Sequence, residues 1–258
     1  MRRLSYTRPM SAGPRSWRLA AAVVTFLASG TAHAQSAPPV GIAEAEAITR
    51  FDLRRRFDAY GAANQQPQAD LVVEVVNGDL TVAGDLLLDY PRARARMEAL
   101  VPRRPGDRNG TTLPRAIGLV VTGNLTVGGA IINANINEGP FLLVLGTTRA
   151  RAMFAGGAEL RFEQRATFSD AVVGCYNDGT VHFPAGVDAP LVISEDHSFQ
   201  MPARPALYVD YFNGDGDLAL LKAWLHPAIV VPDIEELNAD EQLLPRIRRG
   251  ERILRESR

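Results

Sequence analysis

The sequence has a single cysteine, Cys175, in 258 residues. One cysteine cannot form a disulfide within the chain, and the Cys/His spacing of a zinc site is also missing. The sequence likewise lacks a glycine-rich phosphate loop and the Gly-x-Ser-x-Gly turn of serine hydrolases. Because these motifs are missing, the sequence does not assign a reaction to the chain, and its function has to be inferred from its architecture.

Lysine is almost absent, and the charge balance differs between the N-terminus and the rest of the chain. Lys222 is the only lysine, and residues 1–34 contain five arginines but no acidic residue. Without those arginines, 23 basic and 29 acidic residues remain, which is a net charge of −6. Affinity for nucleic acid comes mostly from phosphate neutralisation, so this balance argues against a nucleic-acid partner.

Long apolar runs are missing as well. The apolar run at residues 19–27 (LAAAVVTFL) is far shorter than the ~20 residues that cross a bilayer. It follows the N-terminal arginines and precedes an Ala-x-Ala triplet at 32–34, which is the order of a secretory signal peptide. We expect residues 1–34 to be a cleaved signal of a bacterial periplasmic or secreted protein, without stable membrane insertion afterwards. An uncleaved membrane anchor is the alternative.

Short alternating apolar segments, separated by turns that contain glycine, fill residues 69–194. The sequence NGDLTV at 77–82 is echoed by TGNLTV at 122–127, and later strand-like segments follow at intervals of about 20 residues. Such a period is typical of a solenoid, in which each coil buries its inward face against its neighbours. We predict a mainly β fold: a short, single-stranded parallel β-helix of about five coils.

The segments around this repeat differ from it in composition. Residues 35–68 comprise a linker and an amphipathic segment, which predicts an N-terminal helix that caps the open end of the solenoid. Residues 91–114 are rich in arginine and proline and are expected to be an insertion that projects from the coils. Residues 195–258 are expected to form a helical C-terminal cap on the last coil.

The repeated Gly-[Asp/Asn]-Leu-Thr-Val motif and its trailing glycine corners resemble the β-solenoid core of bactofilins, the polymer-forming cytoskeletal proteins of bacteria. The resemblance covers about residues 71–193 and implies a short parallel β-helix. Bactofilins lack a cleavable signal and a large C-terminal cap. Neither polymerisation nor any functional residue is therefore transferred to this chain.

Candidate ligand-binding residues lie at the corners between strands. Equivalent corners of stacked coils are about 4.8 Å apart, so Glu138, Asp178, Asp196 and His197 are expected to rise along one edge. A file of carboxylates favours a hard cation such as Ca²⁺, or a polar glycan. The alternative is that turns select Asn, Asp and Gly for backbone reasons alone. No catalytic residue and no other cofactor is predicted.

Cys175 and two histidines, His197 and His182, are further candidates for a chemical role or for exposure. Cys175 and His197 are 22 residues apart, about one coil, which allows a thiol–imidazole nucleophile, although a cysteine in an apolar run is usually a buried structural residue. His182 alternates with Val181 and Phe183 and is expected to face solvent.

Together these features favour an exported, non-catalytic binding or structural β-solenoid that presents a flat coil face or an acidic edge to a protein or glycan. The alternative is a carbohydrate-active enzyme built on a β-helix. The sequence does not predict the oligomeric state.

Overall fold

The computed structural model describes residues 39–58, 67–68, 71–89, 115–176, 178–210, 218–229 and 237–255. The expected signal at 1–34 and the expected insertion at 91–114 lie outside the described residues. Within the described ranges the strands are β1 (Val40–Ala43), β2 (Leu71–Val76), β3 (Leu80–Val82), β4 (Leu86–Leu87), β5 (Arg115–Val121), β6 (Leu125–Val127), β7 (Ala130–Ile132), β8 (Phe141–Val144), β9 (Thr148–Ala150), β10 (Ala152–Ala155), β11 (Glu159–Phe162), β12 (Ala166–Phe168), β13 (Ala171–Cys175), β14 (Thr180–His182), β15 (Val187–Asp188), β16 (Leu191–Glu195), β17 (Ser198–Gln200) and β18 (Tyr208–Asp210).

The strands form three sheets that run along a solenoid. Sheet A has the order β1-β2-β5-β8-β11-β14-β17, sheet B the order β15-β12-β9-β6-β3, and sheet C the order β18-β16-β13-β10-β7-β4. Successive triplets from β2–β3–β4 to β14–β15–β16 each contribute one strand to every sheet, and these neighbours pair in parallel. The prediction of a short parallel β-solenoid is confirmed.

The inward side chains form one apolar column between the three sheets. Leu142, Leu160 and Val181 follow one another on sheet A and are fully buried. Phe162 and Phe183 stack with ring centroids 5.3 Å apart and planes inclined by 14°. Because each strand contributes only two or three inward residues, every coil depends on the next coil to complete its core.

Side chains at several corners satisfy the backbone of the neighbouring coil. Asp79 Oδ1 accepts the backbone N–H of Asn124 at 2.7 Å, and Asn124 Oδ1 accepts the N–H of Thr147 at 2.9 Å. Asn133 is fully buried, and its Oδ1 accepts the N–H of Ala158 at 2.8 Å. At these corners the Asn and Asp side chains accept hydrogen bonds from backbone N–H groups. This agrees with the alternative that turns select these residues for backbone reasons.

The N-terminal segment, residues 39–58, covers part of the outer face of sheet A. Its helices are α1 (Glu44–Phe51) and α2 (Leu53–Arg56), and Asp52 between them has a left-handed φ of 49°. Phe51 and Phe57 are buried with outward residues of sheet A in a second apolar cluster. Strand β1 pairs antiparallel with β2 and so closes the N-terminal edge of this sheet. The cap over the open end is therefore a strand, and the helices lie against a face.

The C-terminal segment, residues 218–229 and 237–255, lies against the outer face of sheet C. Its helices are α3 (Leu218–Trp224), α4 (Ala239–Gln242) and α5 (Leu244–Arg248). Leu243 and Ile247 are buried with Phe154 and Val173, which point outward from sheet C.

The predicted boundary at residue 195 is too early, because β17 and β18 still pair in parallel with β14 and β16. Strand β17 is only three residues long and mostly exposed, so it lacks the apolar alternation that marks the earlier coils.

No helix among the described residues is long and apolar enough to span a bilayer.

Candidate functional site

The corners that carry the predicted acidic edge do stack on one another. A Cβ on Gly157 would lie 2.2 Å from the backbone nitrogen of Glu138, and one on Gly179 would lie 2.0 Å from the carbonyl oxygen of Gly156. Backbones this close belong to directly superposed coils. Glu138 and Asp178 are exposed at these corners.

Asp196 and His197 occupy the next corner, but their side chains differ in exposure. Asp196 is half-buried with a left-handed φ of 51°. His197 is only 7% exposed, its Nδ1 lies 2.8 Å from the carbonyl oxygen of Tyr176, and its ring packs against Phe199. Burial lowers the pKa of His197 below its ordinary value. The imidazole therefore faces the interior, and calcium binding by the exposed carboxylates of this edge stays a prediction.

The hypothesis of a thiol–imidazole nucleophile is wrong. The Sγ of Cys175 lies 3.4 Å from Oε2 of Glu195, whereas the ring of His197 hydrogen-bonds the backbone of Tyr176. Burial, and then the negative charge of Glu195, raise the pKa of Cys175 well above that of an ordinary thiol. The protonated, buried thiol acts as a packing residue.

A different polar surface emerges from the register of sheet A. One outward position of each coil pairs with the same position of the next, and this forms a continuous row across the sheet. The row reads Val75, Val120, Leu143, Arg161, His182 and Gln200. Its first three members are apolar and buried with the N-terminal segment. Its last three members are polar, and we call them the polar row.

His182 occupies the centre of the polar row. Its Nε2 lies 3.0 Å from Oε1 of Glu159, and its Nδ1 lies 3.1 Å from Oε1 of Gln200. The residue points away from the solenoid core, but it is only 4% exposed, so the expectation of a solvent-facing histidine is wrong. Glu159 and Gln200, on the neighbouring strands, fix the imidazole from both sides.

Arg161 is fixed by a second carboxylate. Its Nε donates to Oε1 of Glu163 at 2.6 Å, and its Nη1 donates to the carbonyl oxygen of Arg56 at 3.2 Å. Arg56 also pairs with Glu163. Burial alone would raise the pKa of Glu163, but the hydrogen bond and charge of Arg161, together with Arg56, outweigh it and lower the pKa. The guanidinium is thus held in one orientation at the end of the N-terminal segment.

Asp58 brings a second acidic group to His182. Its backbone N–H donates to Oε1 of Glu159 at 2.8 Å, which places the end of the N-terminal segment directly over β11. One ligand atom each from Asp58, Glu159 and His182 lie within 4.8 Å of one another. Asp58 is exposed, so its carboxylate can rotate on a fixed backbone.

A shallow, open pocket of about 210 Å³ lies beside the polar row. Its walls combine the three polar side chains with apolar ones, and the lining residues are Arg161, His182, Pro184, Gln200, Met201 and Pro202. Ligand sites combine a few fixed polar groups with apolar side chains in this way, and a pocket smaller than the usual range of about 300–1,000 Å³ can hold part of a ligand but cannot enclose it.

The sequence pattern that reveals the polar row is a polar residue flanked by apolar ones in successive coils. Leu160-Arg161-Phe162 and Val181-His182-Phe183 share this pattern, and the two central residues are 21 positions apart. The turn residues drew attention to the corners, and these strand positions were missed.

Comparisons with known proteins add no relative. No protein-family model matches the chain, and no curated protein or solved structure is significantly similar to it. The structure shows a parallel β-solenoid, and the resemblance to bactofilins stays a prediction.

Proposed function

We propose that the protein is an exported, non-catalytic binding β-solenoid, and that its ligand surface is the pocket beside the polar row. One observation carries this proposal: the outward row of sheet A is apolar where the N-terminal segment covers it and polar where the pocket opens. A surface of fixed polar groups next to an otherwise covered sheet is suited to binding.

The side chains around the pocket favour a polar glycan as the ligand. Arg161 and Gln200, on the strands on either side of His182, offer planar donors and an amide acceptor, which suits sugar hydroxyl groups. Glu163 holds the guanidinium of Arg161 in place, so little side-chain entropy is lost on binding. Pro184 and Pro202 supply flat apolar surface for a sugar ring.

The enzyme alternative is favoured by one feature, the carboxylate–imidazole pair of Glu159 and His182 at the pocket wall. A carboxylate that orients an imidazole is a common device of general-base catalysis. Here Gln200 occupies the second ring nitrogen, so His182 would have to leave that amide before it could accept a proton from a substrate.

Binding of soluble polysaccharides, both neutral and uronic, to the full chain tests the proposal. We expect a subset of glycans to bind in isothermal titration calorimetry, and Gln200→Ala and Arg161→Gln to weaken binding at least tenfold. Arg149→Gln serves as the matched control, because Arg149 is an exposed outward residue of β9 in sheet B. Equal affinity in all variants contradicts the proposal.

The same samples separate the other possibilities. Release of reducing ends that is abolished by His182→Gln would favour the carbohydrate-active enzyme. Ligand-independent filaments in sedimentation would favour a structural role like that of bactofilins.

A further inference from the structure

We propose that Asp58, Glu159 and His182 form a binding site for a divalent first-row transition ion such as Zn²⁺, with Gln200 orienting the histidine. The ion would join the end of the N-terminal segment to two coils of the solenoid. The proposal rests on the geometry of four side chains and on the local charge, and it does not depend on glycan binding.

The hydrogen-bond pattern around His182 supports a bound cation. Where the amide oxygen Oε1 of Gln200 accepts a hydrogen bond from the ring, Nδ1 carries the shared hydrogen. In the neutral imidazole, Nε2 then has a lone pair, and it faces another acceptor, Oε1 of Glu159, at 3.0 Å. Two acceptors at this distance repel each other unless a proton or a metal ion lies between them.

The distances are close to those of metal ligands. Imidazole nitrogen and carboxylate oxygen bind zinc at about 2.0–2.2 Å, and at the tetrahedral angle that zinc prefers two such ligands are about 3.4 Å apart. Nε2 of His182 and Oε1 of Glu159 are 3.0 Å apart, so a small rotation of the Glu159 side chain brings them to that separation. Asp58 lies within the same group of ligand atoms and is exposed, so its carboxylate can complete the set.

Gln200 occupies the place of an outer ligand. Histidines that bind metals usually donate the other ring N–H to an oxygen acceptor, which fixes the tautomer and the ring orientation. Gln200 provides that oxygen from the neighbouring strand β17. His182 is 4% exposed, and Glu159 and Gln200 contact its two ring nitrogens, so the ring orientation is fixed without an ion.

The local charge favours a cation. Asp58, Glu159 and Glu163 carry negative charge, and Arg56 and Arg161 are two positive groups among the described residues that contact this cluster. Both guanidiniums hydrogen-bond Glu163. A nitrogen ligand with two carboxylates favours zinc or a similar transition ion, whereas Ca²⁺ and Mg²⁺ prefer all-oxygen sites.

Titration of the full chain with Zn²⁺, after dialysis against EDTA, tests the proposal. We expect one ion per chain in isothermal titration calorimetry and a visible absorption spectrum with Co²⁺. Asp58→Asn should weaken binding at least tenfold, and Glu159→Gln and His182→Gln should abolish it. Loss of the outer hydrogen bond in Gln200→Ala should weaken binding about 10- to 100-fold.

Asp52→Asn is the matched control. It removes the same charge from the same exposed segment, and asparagine tolerates the left-handed φ of 49° at this position. Its Zn²⁺ affinity should equal that of the unmodified chain, and circular dichroism should show every variant folded. Asp58→Asn is the safest variant, because the hydrogen bond of Asp58 to Glu159 comes from the backbone.

Two results would overturn the assignment. One is the absence of Zn²⁺ binding by the unmodified chain. The other is Zn²⁺ affinity that survives any of the three ligand substitutions. Glycan titrations in EDTA and in Zn²⁺ keep this result separate from the proposed function, since either can fail while the other holds.

Discussion

Replacing Asp170 by asparagine tests how the C-terminal segment is held on the solenoid. The carboxylate of Asp170 is 1% exposed and accepts the backbone N–H groups of Ile253 at 2.9 Å and Leu254 at 3.2 Å. It also pairs with Arg151 at 3.4 Å, and Arg151 donates to the carbonyl oxygen of Ile247 at 2.7 Å. One buried carboxylate thus connects the segment to two coils.

The expected loss follows from these contacts. Hydrogen bonds to a charged group contribute about 1.5–3 kcal/mol each. The amide of Asp170→Asn keeps one acceptor but turns an NH₂ group toward the other backbone N–H. It also leaves the mostly buried guanidinium of Arg151 without its counter-ion. We expect the segment to lose about 3 kcal/mol of its attachment free energy, which multiplies its detached population roughly a hundredfold.

Cys175 reports this detachment directly. It is the only cysteine in the chain, and it lies in the apolar cluster under the C-terminal segment. Its partner Glu195 accepts the N–H of Ala239, at the start of α4, at 2.9 Å. Reaction of the native protein with a thiol reagent such as DTNB should therefore accelerate roughly a hundredfold in Asp170→Asn.

The control is Asp188→Asn, which removes an exposed ion pair with Arg165 on sheet B and should leave thiol reactivity unchanged. If Asp170→Asn labels within twofold of the unmodified protein, the carboxylate does not hold the segment and the reasoning is refuted.

Two further substitutions test the packing of the coils. A Cβ on Gly179 would lie 2.0 Å from a carbonyl oxygen of the preceding coil, so Gly179→Ala should lower the free energy of unfolding by about 2–3 kcal/mol in urea denaturation. Gly84→Ala, which meets no atom within 4 Å, should not change it, and equal midpoints would contradict the superposition of the corners. Burial lowers the pKa of His197, so the unfolded state binds more protons below about pH 6.5. The contribution of His197 to the free energy of unfolding is fully present above that pH and is lost as the pH decreases. His197→Gln should therefore flatten the pH dependence of the free energy of unfolding between pH 7.5 and 5.5.

The solenoid could be predicted because its signal is local. In β11 and β14 apolar residues alternate with polar ones, and the glycine corners recur at the coil period. The alternation is visible within one coil, and the recurrence of the corners needs only a comparison of successive segments of the sequence. The short strand β17 lacks them, because two of its three residues are exposed and its pairing comes from β14 alone.

The positions of the terminal segments could not be predicted in the same way. All six residues of β2 are buried, because one face packs inside the solenoid and the other under the N-terminal helices. A strand with apolar residues on both faces shows that both faces are covered, but it does not show what covers the outer one. The helices were therefore placed over the end of the solenoid, where an apolar coil also needs a cover.

The candidate site also has a part that the sequence predicts and a part that it does not. The stacking of the corners at Glu138 and Asp178 follows from the coil period, which the sequence shows. The burial of His182 and its contacts with Glu159 and Gln200 depend on which outward residues become neighbours across strands. That information needs the register of three coils at once, and a single sequence reveals it only after the coils have been aligned.

The extent of the N-terminal segment accounts for where the polar row begins. The outward row of sheet A is apolar for three strands, at Val75, Val120 and Leu143, and polar from Arg161 onward. Sheet C, whose outward residues are apolar in successive coils, needs the several helices of the C-terminal segment. The site on sheet A thus lies where the cover by the N-terminal segment ends, and Asp58, at the end of that segment, is placed to reach it.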